Sequence, residues 1–95
     1  MSKHPFRNYY DRCVSIVGLS DRIGELDPLS NDYDELRHKY FEIENSFYRQ
    51  YLATHVLPPM IDKILVIKGD RYKFTWKMDN SYGRCDIYFE KERRC

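Results

Sequence analysis

From Arg71 to Met78 the chain alternates without a break: Tyr72, Phe74, Trp76 and Met78 take every second position, and Arg71, Lys73, Thr75 and Lys77 fill the places between. Side chains along a β-strand point to opposite faces in turn, so this spacing sends the large apolar groups to one side and the polar ones to the other. A sheet built on this strand must bury one face and leave the other wet. Everything else in the chain has to supply a cover for the aromatic face.

The cover must come from a short chain. Ninety-five residues make a single domain, 1–95, near the small end of what folds without staples. Hydrophobic residues at 42% and aromatics at 16% are enough to offset the ordering entropy. Nine tyrosines outnumber five phenylalanines and one tryptophan, a bias toward half-buried rings and toward binding surfaces. Sixteen basic against fifteen acidic residues, interleaved, give a net charge of +1. That balance lacks the footprint of a general nucleic-acid binder or of an acidic nucleic-acid mimic.

Two helices precede the strands in the pattern. Phe6, Tyr9, Tyr10, Cys13, Val14 and Val17 recur at helical steps behind Pro5, which predicts a first helix over about 5–19. Gly18, Gly24 and the run Asp27-Pro28-Leu29-Ser30 predict a linker over 20–30. Ser30, Asn31 and Asp32 can each cap a second helix, and Asp32 with Glu35 fits a capping box. Tyr33, Leu36, Tyr40, Ile43, Phe47 and Tyr51 then form one apolar stripe, with Phe41, Tyr48 and Leu52 beside it. Leu57-Pro58-Pro59 ends it, giving a long helix over about 32–56. Some 25 residues would run about 37 Å, which predicts an overhang and leaves room for dimerisation through this helix.

The sheet is expected over about 62–90 as a three-stranded antiparallel meander, with a short basic tail at 91–95. Gly69-Asp70 reads as a two-residue turn with glycine first. Pairing Lys68 with Arg71 then sets Leu65 opposite Phe74 and Ile67 opposite Tyr72. In the second hairpin, Lys73 opposite Glu90 and Lys77 opposite Asp86 match charges while keeping Trp76 with Ile87 and Phe74 with Phe89. The expected fold class is α+β, two helices packed on one face of the meander.

No residue group points to catalysis, a metal or a cofactor, so a non-enzymatic protein is expected. Asp34, His38 and Glu42 step by four along one helix face, a spacing that more often marks a solvated surface than ligands or an acid/base pair. His4 and His55 lie near a chain end and a helix end. Cys13 and Cys85 fall on apolar faces and read as small buried hydrophobes, while Cys95 sits beside Arg93 and Arg94. Three cysteines without a CxxC pair, no secretory leader pattern and no apolar run of about 20 residues predict a cytoplasmic protein with free thiols. No membrane association is expected.

What remains is the wet face. Ile64, Val66, Thr75 and Tyr88 are expected to form an apolar strip rimmed by Lys73, Lys77, Asp86 and Glu90, with Arg93 and Arg94 at the margin. An apolar centre with a polar rim is how protein interfaces are built. In style, small, tyrosine-rich and evenly charged, the chain resembles the single-domain proteins with which phages and mobile elements bind and block a host protein. That resemblance implies a protein partner, a host defence or nucleic-acid-processing enzyme, inhibited by steric occlusion. A nucleic-acid-binding accessory protein is the weaker alternative, since the aromatics that would stack on bases are turned inward. An oligomeric protein that sequesters a small ligand is the third reading.

Overall fold

The structure, a computed structural model, describes residues 8–79 and 81–92. His4, Pro5, Phe6, Arg93, Arg94 and Cys95, named above from the sequence, lie outside the described residues. The order is α1 (Tyr9–Glu25), α2 (Asn31–Thr54), β1 (Ile64–Ile67), β2 (Asp70–Asp79) and β3 (Arg84–Lys91). The strands form one antiparallel sheet in the order β1-β2-β3, an α+β architecture.

α1 departs from its expected bounds while α2 keeps its own to within two residues, each for local reasons. α1 continues six residues past Leu19, because a helix tolerates interior glycine at about 1 kcal/mol relative to alanine. It ends at Leu26, whose backbone turns extended, and the linker contracts to the turn in which Asp27 Oδ1 accepts the Leu29 N–H at 3.0 Å. Ser30 caps α2, its Oγ accepting the Tyr33 N–H at 3.1 Å, in place of the expected Asp32 box. α2 stops at Thr54, where His55 adopts a left-handed conformation and donates its N–H to Tyr51 O at 2.7 Å.

The second hairpin has the expected register, with Lys73 opposite Glu90, Phe74 opposite Phe89, Trp76 opposite Ile87 and Lys77 opposite Asp86. The first is shifted by two residues. Ile67 pairs with Asp70, Leu65 with Tyr72 and Ile64 with Lys73. The turn residues are therefore Lys68 and Gly69, both at positive φ (52° and 82°), the type I′ geometry that matches strand twist. A shift of two preserves which face each side chain takes, so the inner row survives the change.

That inner row closes the core. Ile67, Tyr72, Phe74 and Ile87 share one buried cluster with Cys13, Ile16 and Val17 of α1, Phe47 of α2 and Met60 from the segment before β1. The helices are clamped by Arg12, whose guanidinium lies 4.2 Å from the centre of the Phe47 ring and donates to Gln50 Oε1 at 2.7 Å and Ser46 Oγ at 3.2 Å. Among the described residues no helix is long and apolar enough to cross a membrane.

Phe74 is wholly buried at the centre of this cluster, while Lys73 points out. Phe74→Ala is expected to destabilise by about 3–5 kcal/mol and Lys73→Ala by less than about 0.5. Urea unfolding of the two variants checks it, and equal losses would put the strand faces the wrong way round.

Candidate functional site

The outward face of the sheet carries Ile64, Val66, Lys73, Thr75, Lys77 and Tyr88 together, with Ile64, Val66 and Tyr88 exposed at 42, 55 and 53%. The two-residue shift rearranges them. Val66 stands opposite Arg71 and Ile64 opposite Lys73, while Thr75 stands opposite Tyr88. The expected continuous strip is thus two apolar patches with a row of Arg71, Lys73 and Lys77 running between and beside them. Among the described residues none of these three cations forms an ion pair, whereas Asp86 is held by Arg84 at 3.2 Å.

The sheet's open edges are closed at their middles by helix side chains. Tyr10 of α1 donates its hydroxyl to Val66 O on β1. On β3, both main-chain groups of Ile87 are taken by α2: the Tyr40 hydroxyl donates to Ile87 O at 3.0 Å, and Glu44 Oε2 accepts the Ile87 N–H at 2.8 Å. An unpaired edge is a template for another strand, and these bonds block it where it would be longest. Tyr40 and Glu44 are four residues apart, so one helix face presents both.

Glu44 is the one charged residue buried among the described residues, at 8% exposure. Burial raises its pKa, with Asp86 adding to the rise and the Ile87 N–H, Arg84 and Arg37 opposing it. Burial also lifts the Tyr40 phenol to about 12, which keeps it a donor. Beside Glu44 lies a cavity of about 400 Å³, bounded by Ser20 and Ile23 of α1, by Arg37, Tyr40 and Phe41 of α2, and by Arg84, Asp86, Ile87 and Tyr88 of β3. A half-enclosed space with a few convergent polar groups and a perturbed carboxylate has the anatomy of a binding site. The sequence did signal Glu44: it falls on the apolar stripe, four residues after Tyr40 and three before Phe47.

The remaining chemical candidates separate from both places. His38 Nε2 meets Glu42 Oε1 at 3.1 Å on the exposed side of α2, and Lys39 meets Glu35 at 3.8 Å on the same helix. Among the described residues no group of three or more His, Cys, Asp or Glu converges as metal ligands. Cys13 and Cys85 are buried free thiols whose pKa burial pushes up to about 12, so both stay protonated near neutrality. No family model, curated protein or solved structure matches this chain.

The raised pKa of Glu44 gives stability a pH dependence of definite sign. A carboxylate with a folded pKa above its unfolded value contributes most below the unfolded pKa, and the contribution is lost as pH rises through the folded one. Glu44→Gln keeps an acceptor for the Ile87 N–H and cannot ionise. Urea unfolding between pH 4 and pH 8 should therefore show the wild type losing stability relative to Glu44→Gln as pH rises, and the opposite trend would mean that the ionised form is the one the fold prefers.

Proposed function

We propose that this chain is a small non-enzymatic protein-binding module that docks a partner on the outward face of its sheet and acts by occluding that partner's working surface. The observation that carries the reading is the set Ile64, Val66 and Tyr88, three large side chains held out on the face opposite the one that packs on the core. The capped edges support it further: with Val66 O and both main-chain groups of Ile87 already bonded, a partner gains little by adding a strand and must meet the face instead. Thr75 completes the Tyr88 patch, Lys73 lies between the two patches, Lys77 supplies the rim, and Arg93 and Arg94 are proposed to extend it. Rim charges speed encounter, while buried apolar anchors hold the complex.

The partner we propose is an enzyme of host defence or nucleic-acid processing, inhibited in the manner of small phage and mobile-element proteins, in the cytoplasm. Tyr88 is one exposed ring against a mixed row of cations and carboxylates, which supports a protein surface over a nucleic acid that needs several stacking platforms.

Affinity capture from a host lysate by the wild type, Val66→Glu and Tyr88→Ala, followed by calorimetry on the recovered partner, tests the face. Either substitution should weaken binding by about 1–2 kcal/mol or more while the domain stays folded. Normal binding by both, with loss in Tyr48→Ala, would move the interface to α2.

A further inference from the structure

Glu44 keeps one oxygen free. Oε2 is spent on the Ile87 N–H, and among the described residues Oε1 receives no hydrogen bond and no sealed side-chain oxygen or nitrogen lacks a partner. Oε1 is therefore unsealed, beside the cavity that Glu44 lines. Two other groups at this cavity keep surface open to a ligand. Arg37 is exposed and forms no ion pair among the described residues, and Phe41 is 43% exposed although a cavity lies against it.

Their spacing defines what fits. Arg37 precedes Glu44 by seven residues, two helical turns or about 10 Å along the axis, with Phe41 between them. A ligand that uses all three is elongated: a hydrogen-bond donor at one end, a flat body, and an anion at the other. A carboxylate oxygen only accepts, so it favours an edge with adjacent donors and disfavours one that mixes donors with acceptors. Guanine alone among the common bases sets two N–H donors, N1–H and the 2-amino group, side by side on its pairing edge. We propose that this cavity binds a guanine mononucleotide, with the base edge on Glu44 Oε1, the purine against Phe41 and Tyr88, and the phosphate on the Arg37 guanidinium. A volume of about 400 Å³ lies within the range of small-molecule sites. The site is independent of the docking face except at Tyr88, which borders both.

Titration of the full chain with GMP, followed by backbone amide NMR, tests the proposal. GMP should shift the Glu44 and Ile87 amides saturably, and AMP, whose edge places an acceptor beside its donor, should bind at least about tenfold more weakly. Glu44→Gln keeps the Ile87 bond and turns a donor into the cavity, so it should lose GMP affinity by about tenfold or more. Arg37→Ala and Phe41→Ala, both at exposed positions, should weaken GMP with the fold intact, and Val66→Glu should leave it unchanged. A single-stranded oligonucleotide ending in guanosine shares the chemistry, and the tighter of the two ligands identifies the natural source. Absence of saturable shifts at Glu44 and Ile87, equal affinity for AMP and GMP, or undiminished GMP binding in folded Glu44→Gln would overturn the assignment.

Discussion

A three-stranded meander has two open edges, and the structure depends on how they are shut. Each edge is met at its middle by a helix: Tyr10 reaches Val66 O on β1, and Tyr40 with Glu44 takes both main-chain groups of Ile87 on β3. These bonds fix each helix to its strand in register, where apolar packing alone resists sliding only weakly. They also interrupt the template that would let copies of the chain pair edge to edge. A sheet of more strands could leave its rim to chance. Here two of the three strands are rim.

The cap on β3 puts a carboxylate where water is scarce. An aliphatic residue at 44 would pack into the stripe without desolvation cost, but it would leave the Ile87 N–H buried and unbonded, a penalty of about 1–3 kcal/mol. Glu44 exchanges one cost for another: it bonds the amide, and it carries a raised pKa as the sign that its charged form is under-solvated. Arg84 and Arg37 relieve that penalty without sealing the site. The cavity beside Glu44 follows from the same compromise. A ring packed there would finish burying the carboxylate and raise the cost of ionising it.

Much of this was legible in the chain. Strict alternation from Arg71 to Met78 assigns the strand and both faces, and opposite charges at Lys73/Glu90 and Lys77/Asp86 fix the register of the second hairpin. The first hairpin lacked any such pair. Its register hung on the turn, and glycine at Gly69 suits either a first or a second turn position, so Lys68 at positive φ could not be foreseen from residue type. Met60 and Pro58 are fully buried yet lie in a segment without periodicity, the signal on which core assignment rests. The outward set Ile64, Val66 and Tyr88 followed from parity alone. Its division by Lys73 did not, because a two-residue slip leaves faces intact and changes only neighbours.

Tyrosine explains why so small a domain manages with little waste. Tyr72 is buried in the core as a large ring. Tyr10 and Tyr40 pack beside the sheet and spend their hydroxyls on strand edges, work a phenylalanine cannot do. Tyr88 and Tyr82 are left in solvent. A tyrosine bias on its own suggests a binding surface, but here part of it is consumed by closing the sheet. The surface reading rests on the remainder, and above all on Tyr88, whose ring stands where the outward face turns the corner of β3 into the Glu44 cavity. An edge strand closed from one side by α2 still offers a corner, and that corner is where the proposed docking face and the proposed nucleotide site meet.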